Sequence, residues 1–231
     1  MTIRLGMRPA FAAQGPRLLT PPGVYAPQYD TDLLTRALQS EPISGKTDVL
    51  DLGTGSGALA VIAAQMGARV TAVDISWRAV WTARLNALLN RASVTVRRAD
   101  LSMACKANAF DLVVCNPPYV PVPAGQLPVR GVARAWDGGK DGRSLVNRVC
   151  DSAHQALRPG GRLLMVHSEL CGSAESIDRL TDLGMTAAVI DKVHVPFGPV
   201  LQERRAWLCA QGLLDEETAT EGLVVIRAEQ P

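Results

Sequence analysis

Short apolar runs alternate with longer amphipathic ones along most of this chain, and that alternation constrains the fold more than any other feature. Runs over 48–52, 69–74, 94–98, 110–115, 162–168, 186–194 and 223–228 read as strands. Apolar residues at helical spacing mark helices over 31–39, 58–65, 76–90, 144–157 and 174–183. Strands that alternate with helices are joined by crossovers, which pair them in parallel and cover both faces of the sheet. The expected class is therefore α/β: a doubly wound, mostly parallel seven-stranded sheet with helices on both faces and an antiparallel last strand. Pro159-Gly160-Gly161 reads as the turn that ends one helix and starts the next strand, and Pro196-Phe197-Gly198-Pro199 opens a long connection before the last strand. Residues 1–28, broken by Pro16, Pro21, Pro22, Gly23 and Pro27, read as an N-terminal arm, and 29–231 as a single domain.

Composition closes off several classes of function. With 231 residues, 47% of them hydrophobic and 20% charged, the chain can bury a sizeable core and is neither disordered nor fibrous. No run approaches the roughly 18 apolar residues of a membrane span, and charged residues interrupt the only place for a signal peptide, so the expected compartment is the cytoplasm. A net charge of +2 is too weak to argue for a nucleic-acid or membrane partner. The five cysteines lack any Cys-x-x-Cys and the three histidines lack ligand spacing, so no metal site is expected.

The first crossover suggests a nucleoside-bearing cofactor. Asp51-Leu52-Gly53-Thr54-Gly55-Ser56-Gly57 lies between an apolar strand and a helix, where Gly53, Gly55 and Gly57 permit a sharp turn and a close ligand approach. Asp74-Ile75 ends the next strand, where the carboxylate can accept both ribose hydroxyls. Gly53-x-Gly55-x-x-Ala58 also satisfies a dinucleotide fingerprint. Asp51 favours another ligand, because a carboxylate there would crowd a pyrophosphate but suits the ammonium of S-adenosylmethionine. Asp100-Leu101 follows the third strand, where the carboxylate can accept from the adenine amino group. Each of these three aspartates is also a fair turn or helix cap on its own; together on one rim they read as a cradle.

Asn116-Pro117-Pro118-Tyr119 follows the fourth strand on the same rim. Prolines fix φ and remove N–H donors, leaving a stiff loop that offers the Asn116 side-chain oxygen and the Pro117 carbonyl as acceptors. Two such acceptors suit the two hydrogens of a planar –NH₂ group, with Tyr119 flat against the plane that carries it. Bonds to both hydrogens favour the pyramidal geometry that a delocalised nitrogen reaches as it attacks a methyl sulfonium. Asn116, Pro117 and Tyr119 are thus the candidate catalytic residues.

These segments, with Val24-Tyr25-Ala26-Pro27-Gln28-Tyr29-Asp30-Thr31 and Leu157-Arg158-Pro159-Gly160-Gly161, resemble the HemK-type protein glutamine N5-methyltransferases of the class I S-adenosylmethionine-dependent superfamily. The resemblance implies cofactor contacts from Thr31, Asp51, Gly53, Asp74, Asp100, Leu101 and Asn116, and a substrate glutamine held by Asn116, Pro117 and Tyr119. It also implies a translation release factor as protein substrate, methylated at the Gln of its Gly-Gly-Gln motif. The helical N-terminal domain of the long bacterial form has no counterpart in about thirty residues before the first helix. Ala135-Trp136-Asp137-Gly138-Gly139-Lys140-Asp141-Gly142-Arg143 is similar to a segment of the short eukaryotic and archaeal branch, whose members often work with a small zinc-binding activator protein and some of which accept lysine. The same acceptor loop suits a flipped base, so methylation of adenine N6, cytosine N4 or guanine N2 stays open. A nucleotide-dependent oxidoreductase or a silent cofactor-binding module is disfavoured by Asp51 and the acceptor loop.

Three further features carry expectations. The loop over 120–143 reads either as a cover over the cleft or as a surface loop anchored by Trp136. Trp77 and Trp81, four apart on a helix, read as core or interface. Arg97-Arg98 and Arg204-Arg205 read as solvated pairs or contacts to an acidic partner.

Overall fold

A computed structural model describes residues 15–101, 107–123 and 131–231. Seven strands form one sheet: β1 (Asp48–Leu52), β2 (Arg69–Asp74), β3 (Val94–Arg98), β4 (Phe110–Cys115), β5 (Leu157–Ser168), β6 (Thr186–Pro196) and β7 (Thr220–Glu229). Their order is β3-β2-β1-β4-β5-β7-β6, with every pair parallel except those that β7 makes with β5 and β6. The central strands are buried on both faces, which is why they read as unbroken apolar runs: Val49, Leu50, Val113, Val114, Leu163 and Leu164 are all sealed from water.

Among the described residues, six α-helices clothe this sheet: α1 (Tyr29–Gln39), α2 (Ala58–Gln65), α3 (Trp77–Leu89), α4 (Arg143–Ala156), α5 (Ser173–Asp182) and α6 (Pro199–Ala210). Five match the helices expected from spacing. The sixth, α6, occupies what reads from the sequence as a connection. Pro199 at its first turn is compatible with a helix start, since a first-turn N–H has no partner inside the helix. Its apolar residues Leu201 and Leu208 are buried but lie a full two turns apart, too sparse to announce a helical stripe. The Pro159-Gly160-Gly161 turn also falls differently. Helix α4 passes directly into β5 at Leu157, and the turn is a bulge inside that strand, where the step from Phe110 to Leu112 on β4 is matched by the longer step from Leu157 to Arg162.

Residues 15–28 run back along α3 toward the carboxyl ends of the strands. Asn90 bonds the backbone of Arg17 through both its amide atoms, Asn86 does the same for Leu19, and Arg78 donates to the Pro22 carbonyl at 2.5 Å. Trp77 and Trp81 are not core residues. They are 54% and 63% exposed on the outer side of α3 and stack under Arg98 and Arg84, their neighbours on the surface. Helical spacing fixes that the two share a face without fixing which way the face looks. Among the described residues, no helix is long and apolar enough to cross a membrane.

Candidate active site

After β1 the chain winds out to β2 and β3, then returns to β4 on the other side of β1, and this reversal leaves a crevice at the strand tips. A cavity of about 840 Å³ opens there. It is lined by Thr31, Asp51, Gly53, Gly55, Asp74, Ile75, Asp100, Leu101, Asn116, Pro117 and Tyr119, so the structure brings together nearly every residue singled out from the sequence. Gly57 does not line it. Its role is packing: φ is +83°, and a Cβ there would meet Ala83 of α3 at 3.0 Å. Only glycine serves where the backbone is left-handed and a neighbouring helix lies this close.

The aspartates of the glycine loop are bound up with the loop itself. Asp51, 1% exposed, accepts from the Thr54 hydroxyl at 2.6 Å and from the Ala60 N–H at 3.1 Å. Asp74 accepts from the Gly55 N–H at 3.0 Å and the Ser76 N–H at 2.8 Å, so it closes the loop and starts α3 at once. The cap reading of these residues is therefore realised, and they face the cavity as well. Burial pushes the Asp51 carboxyl up to about 7, against the pull of Thr54 and the Ala60 N–H and with a further push from Asp74. Burial raises Asp74 too, while its backbone partners and Arg134 act the other way. A buried carboxyl that resists ionisation is a fitting partner for a ligand ammonium, which would restore its charge. Asp100 forms an ion pair with Arg148 of α4 at the cavity wall, so its oxygens are shared with a cation of the chain.

At the other end of the cavity the acceptor loop is clamped from behind. Val120 pairs with Asp137 as an isolated bridge, with Val120 donating to the Trp136 carbonyl and Gly138 to the Val120 carbonyl, each at 2.8 Å. Arg204 of α6 pairs with Asp137 at 2.7 Å and donates to the Pro121 carbonyl at 2.9 Å, both ends of the pair being largely buried. Arg204 is thus neither solvated nor free for an acidic partner, whereas Arg205 sits on the surface holding the carbonyls of Glu216 and Thr218. The described part of the 120–143 loop is fixed by backbone pairing and by Arg204, with Trp136 half-buried against the cavity; residues 124–130 lie outside the described residues.

Tyr119 is buried and its hydroxyl donates to Asp30 at 3.2 Å; Tyr25 donates to the same oxygen at 2.6 Å. Burial first, and the charge of Asp30 second, hold both phenols protonated. The other oxygen of Asp30 takes the N–H and hydroxyl of Thr31. Asn116 is half-buried, and among the described residues its side chain makes no hydrogen bond. Asp30, Tyr25, Trp136, Arg204 and Glu221 complete this end. The sequence singles out the 24–31 segment and offers the Trp136 loop as a cover over the cleft, but gives Arg204 and Glu221 no place there, because the four stretches these residues come from meet only in the fold.

A doubly wound sheet whose switch-point cavity joins a glycine loop to an Asn-Pro-Pro-Tyr rim defines a methyltransferase acting on a planar nitrogen. The comparisons agree. Residues 16–127 match the family model described as the methyltransferase small domain. A Methanocaldococcus jannaschii protein provisionally named a protein N5-glutamine methyltransferase is 34% identical over 185 residues, covering 80% of this chain and 92% of its own length. A release factor glutamine methyltransferase of Koribacter versatilis is 37% identical over 164 residues, covering 65% of this chain; the match spans only 57% of that relative's length. Among solved structures, that of an E. cuniculi Mtq2–Trm112 complex, described as methylating the eRF1 termination factor, shares the fold with a TM-score of 0.63 at 24% identity, covering 90% of this chain and 99% of its own. The chain belongs to the HemK-type protein N5-glutamine methyltransferase family.

Proposed function

We propose that this protein transfers the methyl group of S-adenosylmethionine to the side-chain nitrogen of a glutamine in a translation release factor, that residues 29–231 work as one catalytic domain, and that a small activator subunit assists it. The observation that carries the reading is the shared cavity. Asp51 and Asp74 stand at the tips of β1 and β2, and Asn116-Pro117-Pro118-Tyr119 leaves the tip of the adjoining β4. When bound, the cofactor supplies an electrophilic methyl on a positively charged sulfur. Asp51 would hold the ammonium and Asp74 the ribose, and Gly53 and Gly55 would leave the main chain open to the ligand. Thr31, Ile75, Asp100 and Leu101 form the remaining wall, with Asp100 keeping Arg148 as its partner.

The Asn116 oxygen and the Pro117 carbonyl each accept one hydrogen of the acceptor amide. This would draw the nitrogen lone pair out of conjugation, so that the nitrogen–methyl bond could form as the sulfur–methyl bond breaks, with the sulfur leaving as a neutral thioether and one amide proton passing to solvent. Tyr119, pinned by Asp30, bounds the acceptor plane, and the Arg204–Asp137 clamp keeps the loop in place. The relatives' names support a release factor as substrate and, in the E. cuniculi complex, a second subunit. The test is radiolabelled methyl transfer with purified release factor, its Gln-to-Ala variant, RNA and DNA offered in parallel. Label in the factor that vanishes with the Gln-to-Ala change is the expected result; label in RNA or DNA alone overturns it.

A further inference from the structure

Among the described residues, two carboxylate oxygens at the acceptor end of the cavity are shut off from water without a hydrogen-bond partner: Asp137 Oδ1, which Arg204 meets in an ion pair at 2.7 Å, and Glu221 Oε1, which no ion pair meets. Glu221, near the start of β7, borders the cavity yet is only 7% exposed. Burial pushes its carboxyl up to about 7, with the Ser168 hydroxyl favouring the charged form and Asp30 opposing it. A buried acceptor left unmet is destabilising, so the position is a poor one for a purely structural glutamate. Asp30 beside it is in the opposite condition. Its two oxygens take four hydrogens, from Tyr25, Tyr119 and the N–H and hydroxyl of Thr31.

We infer that Glu221 is a specificity-determining residue for the acceptor, and that its free carboxylate oxygen takes the hydrogen of a main-chain N–H in the peptide segment that carries the acceptor amide. The inference rests on the proposed reading of that acceptor as a peptide-borne glutamine. On that reading the Asn116 oxygen and the Pro117 carbonyl take both hydrogens of the amide and Asp30 is fully occupied, which leaves the Glu221 oxygen for a further N–H of the same peptide. The last torsion of a glutamate is soft, so a small turn presents Oε1 to the cavity without moving β7. An acceptor lacking the N–H would leave the oxygen stranded, and a stranded buried group is the strongest means a site has of rejecting a near-isostere.

The test uses the full chain and methyl-transfer assays at varied release-factor concentration, with Glu221→Ala and Glu221→Gln beside the parent. Glu221→Ala is expected to raise the KM for the factor by roughly tenfold to a hundredfold, the change falling on KM rather than kcat. Glu221→Gln keeps an oxygen acceptor and is expected to return KM to within about threefold of the parent. Calorimetry with S-adenosylhomocysteine should find cofactor affinity unaltered in both variants. An unchanged KM in Glu221→Ala, or a loss of cofactor affinity in step with KM, overturns the inference while leaving the glutamine reading intact. A factor whose acceptor Gln is replaced by Lys serving the parent better than the native factor, with that preference lost in Glu221→Ala, assigns the oxygen to an ammonium and also overturns it. No transfer by the parent to any form of the factor fails the glutamine reading itself, and this inference with it.

Discussion

At the β1–β2 end of the cavity, Asp51 takes the Thr54 hydroxyl and the Ala60 N–H, and Asp74 the Gly55 and Ser76 N–H groups, so both are tied within the first crossover. At the β4–β7 end, Asp30, Asn116 and Glu221 come from α1, the loop after β4 and β7, and two of the three keep polar atoms without partners. One end is complete before any ligand arrives; the other is arranged around something still to come. A cofactor is the same molecule at every turnover, so a self-bonded cradle serves it, whereas a protein acceptor brings its own hydrogen-bonding groups and needs free ones to meet.

Substitutions can break this contrast. Asn116→Ala should show the largest effect, lowering kcat by roughly a hundredfold to a thousandfold while calorimetry with S-adenosylhomocysteine still shows binding. Undiminished turnover would remove the acceptor loop from the chemistry. Arg204→Ala should come next. It leaves Asp137 buried and unpaired, at a cost of about 3 kcal/mol in denaturant unfolding, and should weaken the acceptor end alone; a matching loss of cofactor affinity would mean that the two ends are not separable. Gly57→Ala tests the other end. A left-handed backbone with Ala83 in the way should cost about 2 kcal/mol, read as a lowered Tm, and should weaken cofactor binding as α2 shifts.

The smallest expected effect is the dependence of cofactor affinity on pH. Burial lifts Asp51 from 3.8 to about 7. Ionising it in the folded protein therefore costs stability as pH rises through that interval, and a ligand ammonium offsets the cost. Affinity for S-adenosylhomocysteine should rise with pH and level off above about 7, weakening by up to about tenfold per pH unit below it. Asp51→Asn should flatten the profile. An equally steep profile in that variant would assign the titration to another group, with Asp74, also raised by burial, the next to test.

Legibility in the sequence followed the same divide. The glycine loop, Asp51 and Asp74 are read easily because their bonding is local, and the parallel strands are read because burial on both faces leaves no alternation to misinterpret. Asn116-Pro117-Pro118-Tyr119 stood out through the stiffness of its prolines. Glu221 and Arg204 gave no such sign. A glutamate before a strand and an arginine pair in a polar stretch look like surface until β7 and α6 carry them to the acceptor loop. Helix α6 was missed for a related reason: its buried residues are few, and it is held as much by the Arg204 ion pair as by an apolar stripe. Trp77 and Trp81 show the reverse: of the core and interface readings their spacing allows, exposure removes the core one, and Trp77 borders the cavity.

The place of β7 in the sheet bears on how the enzyme comes into being on the ribosome. It is the last of the seven strands to be synthesised, yet it fits between β5 and β6, which have no contact with each other until it arrives. A nascent chain can shape its nucleotide-binding end early from β1, β2 and β4, but carries two open strand edges, and lacks Glu221, until residues 220–229 emerge. The growing polypeptide therefore completes the glycine-loop end before the end that holds Glu221, and it is vulnerable to edge-to-edge sticking from the emergence of β5 until β7 is made.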